Sequence, residues 1–112
     1  MSYTVTNPQR EFIIDRIRDE RNRQLGKWGV QHHTPAEWVS IAIEELGEAA
    51  ERGNKAGVEP IGDKDPQLQL AAMLRELVQV AAVCVAAFED LSEQSPEITS
   101  RRVERLLDER RL

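Results

Sequence analysis

The sequence predicts an all-α fold, a four-helix-type bundle built from one domain of 112 residues. Strand signals are nearly absent. Four places pair a capping residue with a proline, Asn7-Pro8, Thr34-Pro35, Asp65-Pro66 and Ser95-Pro96, which is how a helix start reads in sequence. The apolar residues that follow fall into stripes along helix faces. A chain of this length suits a single domain with a modest core. The bundle core is expected over residues 8–91, with an extra C-terminal helix over about 96–111.

The first helix begins with Asn7 as cap and Pro8 in the first turn. Phe12, Ile13, Ile17 and Leu25 give it a broken apolar stripe, and Gly26 is the expected stop. A connector follows, KWGVQHH, which holds a lysine, a tryptophan, a glutamine and both histidines of the chain. The second helix opens on Thr34-Pro35-Ala36-Glu37, a capping box in which Glu37 reaches back to the amide of its cap. It is expected to run to about Arg52 and end at Gly53, with Gly53–Asp65 as a loop rich in glycine and charge.

Asp65-Pro66 opens a third helix to about Leu91. Beyond Leu77 its apolar residues occupy every face, the pattern of a helix buried all round. Four helices of one small chain can hardly surround it, so a second subunit is expected to cover part of it. A fourth helix starts at Ser95-Pro96-Glu97, with Val103, Leu106 and Leu107 on one side and arginines on the other. The expected assembly is an obligate oligomer.

Charge narrows the partners. Fifteen basic and twenty acidic residues leave a formal charge of −5, which argues against nonspecific nucleic-acid binding, because that needs a basic stripe. A nucleotide ligand remains compatible, since a bound metal reverses the local sign. The single cysteine, Cys84, lies in an apolar run, so it reads as packing, and a reducing, cytoplasmic setting is expected. The N-terminal residues lack the order of a signal peptide. The longest apolar run, Val80–Phe88, is far short of the ~20 residues of a membrane span, so a soluble protein is expected.

The stretch AIEELGEAA, residues 42–50, sets three glutamates in an otherwise apolar helix. At about 100° per residue, with Trp38 at zero, the apolar residues of this helix fill an arc centred near 60°. Glu45 falls inside that arc, Glu48 at its border and Glu44 opposite its centre. Glu44 is therefore a surface residue and Glu45 the inward acid. The third helix repeats the anomaly: Glu76 has Ala72, Val80 and Val83 as its neighbours along the helix, with Gln79 one turn on.

Each helix thus carries a pair three residues apart, Glu45 with Glu48 and Glu76 with Gln79, and such pairs share a face and can share a ligand. Three clustered acids repel one another unless a cation compensates them. Oxygen ligands on rigid helices suit Mg²⁺, with Mn²⁺ as a substitute. The ordinary reading of Glu48 is an ion pair with Arg52, one turn on. A di-iron carboxylate site requires Glu-x-x-His pairs, and neither histidine lies on these helices.

These residues resemble a known family. EELGE, Glu44–Glu48, followed on the next helix by ELVQ, Glu76–Gln79, is similar to the EExxE and ExxD motifs of the MazG-type all-α nucleoside triphosphate pyrophosphohydrolases. The segment ERNRQLGKWGVQHH resembles a MazG-like branch carrying KWGxQxH, and the likeness runs from about Glu20 to Leu91. It implies a helical bundle that forms dimers or tetramers, with active sites at or near the subunit interface. It implies Mg²⁺-dependent cleavage of a nucleoside triphosphate to the monophosphate and pyrophosphate. Carried over, Glu45, Glu48 and Glu76 are catalytic metal ligands, and Glu44 supports them from outside. Gln79 stands where the family pattern has aspartate, and its amide is a neutral, weaker oxygen donor.

The resemblance also implies an aromatic against the nucleobase, which makes Trp28 a substrate-binding candidate, whereas Trp38, inside the apolar arc, reads as a core anchor. Lys27 is a candidate for a phosphate oxygen, His33 for a substrate contact, and Lys55 and Lys64 for further phosphate contacts. Two functions follow. One is an NTP or dNTP pyrophosphohydrolase that cleans or controls a nucleotide pool. The other is a non-catalytic module of the same fold that senses nucleotides or assembles with a protein, and Gln79 is its sequence support.

Overall fold

A computed structural model describes residues 7–58, 66–95 and 100–109. They form four helices and no strand: α1 (Asn7–Trp28), α2 (Pro35–Val58), α3 (Pro66–Gln94) and α4 (Ser100–Glu109). The all-α expectation holds. Pro96 and Glu97, expected to open the last helix, and Lys64 lie outside the described residues, as does the side chain of Lys55.

α3 is the central element. Both α1 and α2 pack along it, they do not pack on each other, and α4 packs on none of the three among the described residues. The core is small: Trp38, Val83 and Ala86, with Ile41, Ala42, Ala87 and Leu91 packed against them. By length and composition Gln67–Gln94 also passes as a membrane span, yet it carries two buried acids, Glu76 and Asp90.

Helix ends follow local chemistry with two corrections. The capping box forms: the Thr34 amide donates to Glu37 Oε1 at 2.9 Å, and the Glu37 amide donates to Thr34 Oγ1 at 3.2 Å. α1 does not stop at Gly26. It continues to Trp28 and ends at Gly29, whose φ of 69° is the left-handed conformation that glycine tolerates best. α2 passes through Gly53 to Val58. A Cβ on Gly53 would sit 2.8 Å from Met73 Sδ, so the Met73 side chain lies against this glycine, which is inside the helix and not a terminator.

The apolar face of α2 is wider than its packing. Trp38, Ile41, Ala42, Glu45 and Ala49 turn toward the protein, while Val39, Ile43, Leu46 and Ala50 are exposed. The packed face therefore centres near Trp38 itself, about 60° from the centre of the full apolar arc. Glu45 lies well inside it. α3 likewise buries one side only. Leu70, Leu74, Leu77, Cys84 and Phe88 are exposed on this chain, so Cys84 is not the packed residue its sequence context suggested.

Candidate metal centre and pocket

Because α1 and α2 each pack on α3 and not on one another, a cleft remains between them. It is an open pocket of about 370 Å³, within the size range of small-ligand sites. α1 contributes Glu20, Arg23, Gln24 and Trp28 to its walls; the connector contributes Gln31 and His33. α2 and α3 contribute Trp38, Glu45, Glu48 and Gln79.

The acids converge as their helical phase requires. Glu45, Glu48 and Glu76 each bring a carboxylate oxygen within 4.8 Å of the others. Glu76 is buried at 7% exposure, Glu45 is half-buried, and Glu48 and Glu44 are exposed. Burial raises the Glu45 carboxyl above its ordinary pKa, and the charges of Glu48, Glu76, Glu44 and Glu20 add to the rise. Arg75 meets Glu76 only at 3.4 Å and is itself exposed. Among the described residues no ion pair joins Glu48 to Arg52, so the ordinary account of Glu48 does not apply.

Gln79 completes the group. With its amide nitrogen turned inward it donates to Glu45 Oε2 at 3.3 Å and Glu76 Oε2 at 2.5 Å. The opposite orientation sets the amide oxygen against the same carboxylates, so the nitrogen-inward one is favoured in the absence of a cation. Hard oxygens from two rigid helices, with a pocket alongside, fit a divalent cation of the Mg²⁺ class. These residues can hold such an ion while leaving positions open to water or an anionic ligand.

The remaining candidates are placed as follows. Trp28 is half exposed and walls the pocket. Lys27 Nζ lies 5.0 Å from the Trp28 ring centroid and Arg23 Cζ lies 5.9 Å from it, and Lys27 is not among the pocket walls. His33 walls the pocket and meets Trp38 edge-on, ring centroids 4.7 Å apart. Its Nε2 is buried without a hydrogen-bond partner. Trp38 is core as expected, at 4% exposure.

Sequence reasoning passed over α1 and Asp90. Glu20 holds Arg23 through two hydrogen bonds of 2.8 and 2.7 Å, and the Arg23 guanidinium lowers the Glu20 pKa. Gln24, the one buried residue of α1, donates to Glu20 Oε2 at 3.2 Å. Asp90, 5% exposed, accepts from Trp38 Nε1 at 2.7 Å, from Gln94 Nε2 at 2.8 Å and from the His33 amide at 3.0 Å. His32 Nδ1 lies 2.6 Å from its other oxygen. Asp90 falls about 40° from Glu76 around α3, so the same wheel that found Glu76 marks it. Compared with family models, curated proteins and solved structures, the chain has no match.

Proposed function

We propose that this protein is a Mg²⁺-dependent nucleoside triphosphate pyrophosphohydrolase, converting an NTP or dNTP to the monophosphate and pyrophosphate. The observation that carries the reading is the convergence of Glu45, Glu48 and Glu76 from two helices at the side of a pocket walled by Trp28 and His33. The resemblance of EELGE and ELVQ to the MazG-type motifs supports the same reading. In it Glu45, Glu48 and Glu76 hold Mg²⁺, with Mn²⁺ as a substitute, and Gln79 offers a neutral amide oxygen. The ion neutralises phosphate charge and lowers the pKa of an attacking water. Glu44 braces the cluster from outside, Trp28 stacks on the base, and Lys27 and His33 contact the substrate.

A second copy of the chain belongs to this proposal. The exposed apolar residues Val39, Ile43, Leu46 and Ala50 of α2 repeat at alternating spacings of four and three. Leu70, Leu74, Leu77, Cys84 and Phe88 of α3, with the half-buried Ala81 between them, do the same. That is the pattern of a helix-packing seam, and it favours a homodimer or a homotetramer with the sites near the interface. The net charge speaks against nucleic acid as a partner, the buried acids of α3 speak against a membrane span, and the lone cysteine favours the cytoplasm.

The test is a nucleotide panel assayed for pyrophosphate against orthophosphate, with and without Mg²⁺. Pyrophosphate release from at least one nucleotide, lost in Glu45→Ala and Glu76→Ala, supports the enzyme. No turnover, with metal binding unchanged in both variants, rejects it. One observation favours a second reading, a non-catalytic nucleotide-sensing or protein-interaction module: the Gln79 nitrogen satisfies two carboxylates without a metal. That reading expects nucleotide or protein binding without pyrophosphate release, and Gln79→Asp separates the two: it raises turnover where glutamine records a decayed site and lowers it where the site is tuned to glutamine.

A further inference from the structure

The connector between α1 and α2, residues 29–34, has no regular structure, yet it supplies a wall of the pocket through Gln31 and His33. What fixes it is the far end of α3. Asp90 takes the His33 amide and Gln94 donates to the His33 carbonyl at 3.1 Å, so both peptide groups of this residue are held by one helix. The same Asp90 oxygen receives the Trp38 indole, and Trp38 is the ring against which His33 rests. His32 closes over the other oxygen.

One buried carboxylate therefore sets the backbone of His33, the ring it leans on, and the residue before it. A tether for a surface connector needs only one of these bonds. Four donors from the connector, α2 and α3, converging on an acid at 5% exposure, restrain the connector's position in more than one direction. The position so fixed leaves His33 Nε2 buried without a partner, at a wall of the cleft, and a buried nitrogen in that state calls for a ligand or water to complete it.

We propose that Asp90 is a positioning residue for ligand binding: through His33, His32 and Trp38 it holds the connector as a wall of the pocket that Glu45 and Glu48 also line. It touches no substrate and no metal. The proposal rests on the nucleotide reading for what fills the pocket, and on Asp90 alone for how that wall is held.

Two variants test it, Asp90→Asn, which keeps the shape and one acceptor oxygen, and His32→Ala, at an exposed residue that the core does not need. Three quantities are measured: Mn²⁺ binding by electron paramagnetic resonance, KM and kcat on the best nucleotide of the panel, and the Trp38 indole N–H resonance with amide exchange of residues 29–34. In Asp90→Asn we expect unchanged Mn²⁺ binding and KM raised about ten- to hundred-fold, with kcat nearly constant. The indole proton should move upfield and the connector amides exchange faster. His32→Ala should shift KM the same way by a smaller factor. A role in stability alone would lower the melting temperature of Asp90→Asn and leave its KM at the wild-type value, which overturns the proposal. So does loss of Mn²⁺ binding in step with KM. If the wild-type protein turns over no nucleotide, the enzyme reading fails by itself. Binding of the non-hydrolysable α,β-methylene analogue of each panel nucleotide then replaces KM, and equal affinity in wild type and Asp90→Asn, or no affinity in either, overturns the proposal.

Discussion

α3 buries two acids about four turns apart on nearly the same side, and their surroundings are opposite. Asp90 is ringed by donors: an indole, a carboxamide, a backbone amide and an imidazole. These bonds outweigh its burial and hold its carboxyl well below the ordinary carboxylate range. Glu76 faces other acids, and across that cluster burial and neighbouring charge push Glu45 upward instead. Burial of an acid alone thus says little about its task. An acid supplied with donors is held as an anion, and acids set against one another raise the cost of each other's charge.

The strongest way to break this comparison is to truncate one side chain at each end. Glu76→Ala should cut pyrophosphate release by about a hundred-fold or more, measured in a product-resolved assay, whereas His32→Ala at the other end should keep most of the turnover rate. Metal dependence should separate the ends next. Mg²⁺ at a hundred times its dissociation constant should stabilise the wild-type fold by about 2.7 kcal/mol, read as a chelator-reversible rise in melting temperature. Glu76→Ala should lose that rise.

A subtler contrast uses isosteric amides in metal-free protein. Glu45→Gln relieves repulsion and should raise the melting temperature by a few degrees, while Asp90→Asn should lower it. If both fall together in thermal denaturation with chelator, the acid cluster is not frustrated and the contrast fails. Gly29→Ala tests the connector from its other end. A Cβ there meets nothing within 4 Å, so the loss, about 1 kcal/mol by chemical denaturation, comes from the backbone at φ 69° alone.

The smallest expected effect is on pH. The hydrogen bond to Asp90, and then its charge, raise the His32 pKa above 6.5. That contribution is complete below pH 6.5 and fades as pH climbs through the folded value. The Asp90 pKa is lowered from 3.8, so its contribution is complete above pH 3.8 and is lost only in stronger acid. Between those limits both contributions are complete, and amide exchange across residues 29–34 should be slowest there.

Much of the fold was legible because helix starts are written locally. The Thr34–Glu37 box and the prolines at the starts of α1, α2 and α3 specify bonds within one turn. Helix ends were less legible. Gly26 and Gly53 look like stops, yet a glycine inside a helix is a tolerable cost when tertiary packing compensates it, as Met73 does against Gly53. At the site, the phase of Glu45 and Glu76 was legible because a helix wheel needs only sequence. Arg23 and Gln24 of α1 were not, since nothing in their spacing says that α1 leaves a cleft beside α2. Asp90 stood on the same wheel but went unread, and three of its four donors come from the connector and α2, which no single-helix pattern contains.

By itself, then, the sequence determined that the chain is helical, where the first three helices begin and that Glu45 and Glu76 point inward, because these depend on bonds and angles within a few residues. The tertiary structure decided which part of each apolar face is covered and which inward acid meets donors and which meets acids. It also decided that the space between α1 and α2 stays open. Those outcomes depend on how whole helices pack, and packing is set by the sum of many weak contacts between residues distant along the chain.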